Sequence, residues 1–389
     1  MRVLINAASA KRGGIVTYTR NLVAYMLQRG VGVALAAPPE FECPAPAMHI
    51  PVRASEYLPF RRVAWEQLQW RQMVKRHRPD ILFSSANFGM FYSPVAQVLL
   101  MREGGLFDPI YLSHIAPSQG VRVQATRHSR RRMMLMSAHH AHHVITPSQS
   151  MLDSLIQWDP GLAGKSSANH YGARHDLFSG NARHRRWRED GTLRLLYVSV
   201  YYPHKCPGVV CTAVDLLDAD GVRTHATITM AMDELRHMPG AAHDRLIMKR
   251  AHAKGMVTLG QHPYSELPNL YAQHDAFVFP SISETFGHPM VEAMASGLPI
   301  IAADTPINRE ICGDGAIYFE PFSAHGLRDS LKRLDRDEGL RRQITESAKV
   351  RVMAEFKWDD HVTRLLEIFE RAVSTFGCDS NAARKDASR

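Results

Sequence analysis

The sequence predicts an α/β protein with two domains, each built on a parallel sheet covered by helices. Its 389 residues exceed what one hydrophobic core usually holds. Short apolar runs alternate with amphipathic stretches along the chain, which is the pattern of βαβ units and parallel sheets. A polar, loop-rich stretch over 172–192 separates two such series and is predicted to be a linker. We therefore expect one domain over 1–178 and a second over 193–357.

The first domain opens with a βαβ unit. Residues 2–8 (RVLINAA) form an apolar run, a glycine turn follows, and an amphipathic helix extends over 15–30. We take the N-terminal run as a strand and not as a signal peptide, because it is short and leads directly into the turn. Further strands of this domain are predicted at 31–38, 80–85, 109–114 and 143–148.

The second domain repeats this alternation and ends in a long helix. The amphipathic segment 358–376 predicts a closing helix, and the polar residues 377–389 are predicted to be disordered. The strands of the second domain are predicted at 193–200, 224–231, 256–260, 276–281 and 299–304.

Charge and cysteine usage limit the classes of function. Residues 1–180 hold 20 Lys and Arg against 10 Asp and Glu, whereas the remainder holds 27 against 28, so the net charge of +9 lies in the first half. Such asymmetry favours an anionic partner there, such as a membrane surface, a nucleic acid or a phosphorylated substrate. The five scattered cysteines form no CxxC pair and indicate a reducing, cytoplasmic protein. No apolar run approaches the ~20 residues of a membrane span.

The stretch SISETFGHPMVEAMASGLPIIAAD (281–304) carries the strongest functional signal. Glu284 follows a predicted strand, at the end where open α/β sheets bind ligands. Pro289 suits the first turn of a helix, so the free N–H groups near Gly287 and His288 would suit a phosphate. Glu292 lies one turn into that helix. The spacing therefore predicts a ligand with hydroxyl-rich ends and an anionic middle, the layout of a nucleotide-sugar.

This stretch resembles the Glu-x7-Glu signature of glycosyltransferase family 4. Members are retaining enzymes of GT-B architecture, in which two Rossmann-like domains face each other across a cleft. The resemblance is strong over 193–322 and looser over 1–178. It implies a GT-B fold, with the 358–376 helix returning to the first domain, and transfer that requires no metal and no cofactor.

The resemblance also implies roles for single residues. Glu284 would bind hydroxyls of the donor sugar beside the reacting carbon, as a catalytic residue, and Glu292 would bind the ribose. Backbone atoms around Gln261 and His262 would meet the base. The backbone of four consecutive residues would hold the sugar and the diphosphate: Thr285, Phe286, Gly287 and His288.

Lys205, in LLYVSVYYPHKCPG, resembles the family lysine that neutralises the diphosphate of the donor. Charge builds up on the departing nucleotide during transfer, so a fixed cation there lowers the barrier. Many relatives carry an arginine five residues earlier, where this chain has Val200. Charge compensation is therefore expected to rest on Lys205 and the helix N-terminus, with His204 as a further candidate.

Two further sites are carried over from the family. Gly13 and Gly14 resemble the glycine turn whose amides approach the diphosphate, although a simple turn before a helix explains the pair as well. His114, in PIYLSHIAPS, resembles the histidine that reaches the donor sugar or the acceptor and is a second catalytic candidate. A buried structural histidine is an equally good explanation of that residue.

The resulting hypothesis is a hexosyltransferase of bacterial surface polysaccharide, for example lipopolysaccharide, synthesis. GDP-mannose or a related GDP-sugar is the favoured donor, with a glycan or lipid-linked acceptor on the basic first domain. The alternative is a UDP-sugar-dependent family 4 transferase with a small soluble acceptor. A nicotinamide-dependent oxidoreductase would need a GxGxxG turn where the chain has AKRGG. A nucleic-acid-binding module would interleave aromatic residues with the basic cluster at 122–136, which has none.

Two clusters in the first half stay outside this hypothesis. The histidine run His139–His143 has no carboxylate or cysteine beside it in the sequence, so we expect no metal site there. The basic residues of 127–140 are typical either of a solvated helix face or of a surface attracted to anionic lipid. The charge asymmetry favours lipid, and hence peripheral contact with the inner face of the membrane.

Overall fold

A computed structural model describes residues 1–11, 14–179 and 185–386, which form two compact units. Unit 1 comprises Met1–Glu103, Ala125–Gly172 and Trp358–Arg389, and unit 2 comprises Gly104–Gln124 and Ala173–Lys357. These bounds differ from the predicted domains of 1–178 and 193–357. Residues 104–124 and the stretch that begins at Ala173 group with unit 2 because their packing partners lie there.

Unit 1 is built on a parallel sheet whose neighbouring strands all pair in parallel. Leu4, Ile5 and Leu82 are fully buried, as expected for central strands covered on both faces. The strands are β1 (Arg2–Asn6), β2 (Gly32–Ala37), β3 (Met48–Pro51), β4 (Ile81–Ser84), β5 (Ala96–Leu100), β6 (His143–Thr146) and β7 (Ser166–Ala168). Over the described residues their order is β3-β2-β1-β4-β5-β6-β7.

Helices connect these strands. Tyr18, Leu22 and Met26, spaced four residues apart, form the buried stripe of the first helix. Ser148 caps the fifth helix, its hydroxyl accepting from the N–H of Met151 at 3.2 Å. The helices are α1 (Gly14–Gln28), α2 (Pro59–Gln67), α3 (Gln69–His77), α4 (Val121–His140) and α5 (Gln149–Trp158).

Unit 2 contains a second parallel sheet. Its strands are β8 (Leu193–Tyr197), β9 (Thr224–Ile228), β10 (Val257–Leu259), β11 (Ala276–Phe279), β12 (Ile300–Ala303) and β13 (Ala316–Phe319). Their order among the described residues is β10-β9-β8-β11-β12-β13. The chain order reverses between β8 and β11, which pair directly. In open α/β sheets ligands bind at such a switch point, beyond the carboxyl ends of the strands.

The helices of unit 2 cover both faces of this sheet. The helix that begins at His288 is the one predicted from Pro289 and ends, as predicted, at Gly297. The helices are α6 (His175–Phe178), α7 (Pro207–Ala219), α8 (Ala242–Ala253), α9 (Leu267–Ala272), α10 (His288–Ser296), α11 (Pro306–Cys312), α12 (Ala324–Arg336) and α13 (Glu338–Glu355).

The last helix, α14 (Trp358–Asp386), belongs to unit 1. Its Trp358 ring lies 5.8 Å from the ring of Tyr18, and Phe369 lies 5.3 Å from Phe83. The helix continues past the predicted end at 376, so the predicted disordered tail is helical over 377–386. The Ala-Ala-Arg-Lys run in this segment has high helix propensity. Residues 387–389 lie outside the described part of the chain.

The predicted strand over 109–114 is wrong. Residues Tyr111–Ile115 form a π-helical turn. The cause is a local cap, since Asp108 Oδ1 accepts hydrogen bonds from the N–H groups of Ile110 at 2.8 Å and Tyr111 at 3.2 Å. The place beside β4 is filled by β5, whose apolar run AQVLL the sequence prediction omitted. His114 therefore does not stand at the end of a strand.

The predicted linker over 172–192 is also wrong where the structure describes it. Its last part is fixed to the unit 2 sheet by the buried carboxylate of Asp275. This group accepts hydrogen bonds from Arg185 Nε at 3.2 Å and from the N–H groups of Arg188 at 3.0 Å and Arg194 at 2.7 Å. Residues 180–184 lie outside the described chain.

None of the described helices has the length and hydropathy needed to cross a membrane.

Candidate functional site

Lys205 and Glu284 meet at the switch point of the unit 2 sheet. Lys205 ends the helical turn Pro203–Lys205 that follows β8, and Glu284 lies in the loop that follows β11. Lys205 Nζ and Glu284 Oε1 form an ion pair in which the side chains are only 12% and 11% exposed. The hydroxyl of Tyr197 donates to the carbonyl oxygen of Lys205 at 2.7 Å and fixes the turn. The structure thus places side by side two residues that the sequence singled out separately.

A buried asparagine also fixes the loop after β11. Asn308 is fully buried, and its amide Nδ2 donates to the carbonyl of Ser281 at 3.1 Å and of Ala303 at 2.9 Å. These bonds hold the start of the Glu284 loop against the end of β12. Asn308 was not predicted as a site residue. Its position three residues after Thr305, which caps α11, is the sequence signal that points to it.

The N-terminus of α10 is open for an anion. Gly287 is the N-cap with φ +83°, a left-handed conformation that favours glycine, and within the described residues it provides no side-chain hydrogen bond to the first turn. A Cβ at Gly287 would lie 2.4 Å from Met290 Cε. Phe286 is buried and its ring lies 5.6 Å from Phe356, which anchors the turn. Thr285 and His288, on either side, are partly exposed.

Glu292 is the buried member of the pair of glutamates. Its Oε2 accepts a hydrogen bond from the hydroxyl of Tyr271 at 3.1 Å, and the Tyr264 hydroxyl bonds the same carboxyl group. Burial raises the pKa of Glu292 to about 7, although both tyrosine hydroxyls act to lower it. The carboxyl group therefore titrates near neutrality. The two tyrosines were not predicted as site residues, because their spacing in HPYSELPNLYAQ is as typical of core residues as of binding residues.

The loop after β10 holds the residues expected to meet the base. Gln261 Nε2 donates to Glu234 Oε1 at 2.8 Å, and His262 Nδ1 lies 3.3 Å from Glu266 Oε2. Tyr264 follows in the same loop and reaches Glu292. The segment carrying Gln261 and His262 is thereby linked to the ribose candidate on α10.

Residues 104–124 pack on the loops that carry Lys205 and Glu284. Ile115 is buried with Cys206 and Ile282. Gly104 lies against the Glu284 loop, where an added Cβ would be 3.1 Å from Thr285 Cγ2. A side chain at Gly104 would therefore crowd Thr285, so the glycine favours this close approach.

His114 lies in that segment and is exposed. Its ring lies 5.2 Å from the ring of Phe322, and its Nδ1 lies 2.8 Å from Ser113 Oγ. The alternative of a buried structural histidine is therefore wrong. The role of His114 toward the donor sugar or the acceptor stays a prediction.

His204 does not supply the positive charge that Val200 leaves missing. Burial and the neighbouring Lys205 hold the pKa of His204 well below its ordinary value, so the ring is neutral. Its Nδ1 is buried and has no hydrogen-bond partner among the described residues. Val200 itself is half exposed. Lys205 is thus the cation that this loop offers.

The glycine turn in unit 1 is described only in part. Gly14 is the first residue of α1 and is exposed. Gly13 lies outside the described residues. The role carried over for this pair from the family stays a prediction.

The histidine run of unit 1 is dispersed among separate partners. No group of three or more His, Cys, Asp or Glu side chains that could hold a metal ion occurs in the described parts of the chain. The partners of the four histidines are Asp159 for His139, Tyr92 for His140, Phe376 for His142 and Ser167 for His143.

Comparison with known proteins decides the family. Residues 12–161 match the family model described as Glycosyltransferase Family 4, and residues 183–351 match that described as Glycosyl transferases group 1. The chain belongs to glycosyltransferase family 4. The matches cover most of both units.

Similar curated proteins are matched over limited stretches. The O-antigen chain mannosyltransferase RfbU of Salmonella typhimurium is 39% identical over 18% of this chain and 20% of its own length. The O-antigen chain mannosyltransferase B of Escherichia coli is 26% identical over 32% of each chain. A D-inositol 3-phosphate glycosyltransferase of Corynebacterium glutamicum is 31% identical over 54% of this chain and 52% of its own. The family 4 chain thus spans about half or less of the length of these relatives.

Solved structures match over nearly the whole chain. Sucrose-phosphate synthase from Thermosynechococcus elongatus superposes with a TM-score of 0.77 at 18% identity, over 96% of this chain and 99% of its own. Anabaena HepE in complex with UDP and glucose superposes with a TM-score of 0.69 at 18% identity, over 95% of this chain and 100% of its own. This likeness confirms the predicted α/β GT-B fold of the family 4 chain.

Proposed function

We propose that this family 4 protein is a retaining glycosyltransferase that moves a hexose from a nucleotide-diphosphate sugar to a glycan or lipid-linked acceptor. The observation that carries the proposal is the arrangement around Lys205 in unit 2. An ammonium group, a carboxylate and an open helix N-terminus lie together at the switch point of the sheet, and Glu292 lies one turn into the same helix.

Each group has a task in this reaction. Lys205 and the amides at the start of α10 stabilise the charge that grows on the departing nucleoside diphosphate. Glu284 orients the sugar hydroxyls, and Glu292 binds the ribose. The acceptor hydroxyl attacks the sugar carbon from the face that the nucleotide leaves, which keeps the configuration, and the departing diphosphate takes its proton. We propose that no metal is needed, so EDTA should leave the rate of transfer unchanged.

The donor is tested by thermal denaturation of the full chain with GDP, UDP, ADP and dTDP. We propose GDP-mannose or a related GDP-sugar, which the two relatives named O-antigen mannosyltransferases support. GDP should then raise the melting temperature most. If none of the four nucleotides raises it, the proposed donor site is refuted. Transfer from GDP-mannose to lipid-linked or free oligosaccharide acceptors identifies the acceptor class.

The second candidate is a UDP-sugar-dependent transferase with a small soluble acceptor. The match to a D-inositol 3-phosphate glycosyltransferase over 54% of this chain favours it. The structures of Anabaena HepE with UDP and with UDP-glucose also favour a UDP-sugar. A larger thermal shift with UDP than with GDP, together with transfer to a phosphorylated polyol, would select this candidate.

We further propose that the basic first half contacts an anionic membrane surface from the cytoplasmic side. The charge asymmetry supports this, but helix α4 contributes less than its sequence suggests. Arg127 and Arg131 are buried, and Arg130 pairs with Glu103 at 2.6 Å. Sedimentation with phosphatidylglycerol vesicles tests the proposal, and binding should weaken with salt.

A further inference from the structure

A cavity of about 630 Å³ lies in unit 2, and none of the residues assigned to the donor lines it. It is formed by the loop that follows β9 and by the first two turns of α8. Arg236, Arg245 and Lys249 line it with positive charge, and Asp233 is the one acidic residue of its lining. The cavity therefore has an excess of positive charge.

One face of α8 supplies most of this lining. Ala242, Arg245, Leu246 and Lys249 are spaced by three and four residues, so they share that face. Arg245 and Lys249 carry like charges at a spacing that weakens a helix by repulsion. A bound anion would remove this repulsion. Leu246 is 48% exposed, so the same face also presents apolar surface to solvent.

The three cations of the cavity form no ion pair with a carboxylate of the described residues. All three are exposed, and none of their side chains makes a hydrogen bond or an ion pair within the described residues. Several other cations of unit 2 are paired with carboxylates. Examples are Arg185, Arg194, Lys254, Arg309 and Lys332. Three unpaired cations of unit 2 thus line one concave surface.

We propose that this cavity binds an organic phosphate, a second ligand distinct from the sugar donor. Two guanidinium groups and an ammonium group hold the phosphoryl oxygens, since guanidinium matches their geometry with paired hydrogen bonds. Met232 and Leu246 cover the apolar part of the ligand. The phosphate belongs either to a free phosphate ester or to a lipid headgroup, which offer the same chemistry.

Calorimetric titration of the full chain with dihexanoyl phosphatidate, below its micelle concentration, tests the site. The double variant Arg245→Gln/Lys249→Gln should lose at least about tenfold in affinity, because two charge-assisted contacts are removed. The matched control Arg223→Gln/Arg250→Gln removes two exposed charges of unit 2 outside the cavity and should bind within about twofold of wild type. Lys205→Ala should also keep its affinity, which separates this site from the donor site.

Several results would overturn the proposal. The first is that wild type does not bind the phosphatidate. The second is that the cavity variant and the control lose the same affinity for it. The third is that uncharged dihexanoyl glycerol binds as tightly as the phosphatidate. If inorganic phosphate binds as tightly as the phosphatidate, Met232 and Leu246 do not contact an apolar part of the ligand, and that part of the proposal is refuted. Vesicles containing phosphatidate identify the source. If wild type sediments with them and the cavity variant does not, the ligand is a headgroup, and if only the soluble compound binds, it is a free ester.

Discussion

At the scale of single residues, the ion pair between Lys205 and Glu284 joins two charges that the proposed reaction needs apart. A diphosphate can bind Lys205 only by competing with the Glu284 carboxylate. Glu284→Gln should therefore bind GDP or UDP at least as tightly as wild type, because the ammonium group is released. Transfer should fall about 100-fold or more, since the sugar hydroxyls lose their anionic acceptor. Calorimetry and initial rates measure the two effects separately.

The counterpart of this variant is Lys205→Ala. It should weaken the binding of a nucleoside diphosphate about tenfold or more and leave the nucleoside within about twofold. Lys254→Ala is the control, because it removes an exposed lysine paired with Asp215 in the same unit. If Glu284→Gln loses as much nucleotide affinity as Lys205→Ala, the diphosphate does not compete with the Glu284 carboxylate for Lys205.

The carboxyl group of Glu292 makes stability depend on pH. Its pKa is raised in the folded chain from the ordinary 4.5 to about 7, so folding favours the protonated form. Wild type should lose stability as the pH rises from about 5 to 7, by up to about 3 kcal/mol from this group, with no further loss above. Glu292→Gln removes this dependence and should be more stable than wild type at pH 8, by a similar amount.

Urea denaturation of both proteins at pH 5, 6, 7 and 8 checks this expectation. The difference in unfolding free energy between the two isolates Glu292 from the other titrating groups. Tyr264→Phe removes one hydroxyl that stabilises the carboxylate, so it should raise the pKa of Glu292 further. The loss of stability should then occur at a higher pH than in wild type. A difference that stays constant between pH 5 and 8 would show that Glu292 is ionised throughout.

At the scale of elements, α10 begins and ends at glycines with positive φ but only its beginning faces the proposed ligand. Gly287→Ala places a Cβ 2.4 Å from Met290 Cε and should destabilise the protein by about 1–3 kcal/mol. It should also weaken nucleotide binding by displacing the first-turn amides. Gly297→Ala meets the flexible end of Lys349 at 2.5 Å and is the matched control. It should cost about 1 kcal/mol and leave nucleotide affinity unchanged, as chemical denaturation and calorimetry can show.

The sequence was sufficient to predict α10 because its signals are local. Pro289 in the first turn and Gly297 at the end determine its bounds, and Glu292 lies within them. The ion pair between Lys205 and Glu284 could not be predicted in the same way. It depends on β8 and β11 being neighbours, and they are separated in sequence by two strands. The raised pKa of Glu292 likewise depends on the burial of its carboxyl group in the fold, which no periodicity indicates.

The failures among the predicted elements have a common physical origin. Residues 109–114 include the apolar run Ile110–Leu112, which suits a strand, but Asp108 caps a helical turn there. The linker residues Arg185 and Arg188 look solvated in the sequence, yet they bond the buried Asp275. In both cases one carboxylate decides the local structure, through partners that the pattern of apolar residues does not show.

At the scale of the whole chain, the units do not follow the order of the sequence. Residues 104–124 come from within the first predicted domain and pack in unit 2. Ile115 is buried, and its apolar side chain alone does not indicate against which neighbour it packs. That neighbour is the pair Cys206 and Ile282, from the loops that carry Lys205 and Glu284. The exposed His114 is thereby attached to the proposed donor-binding unit.

This arrangement predicts where the effect of Ile115→Ala appears. The substitution leaves a cavity under the loops of unit 2 and should cost about 2 kcal/mol. Hydrogen exchange followed by mass spectrometry should show faster exchange at 198–206 and 281–287, with unit 1 peptides unchanged. Ile145→Ala, at a buried position of β6 in unit 1, is the control. It should speed hydrogen exchange in unit 1 peptides and leave those of unit 2 unchanged. If Ile115→Ala instead speeds exchange in β1 and β4, residues 104–124 belong with unit 1, and His114 loses its place beside the donor site.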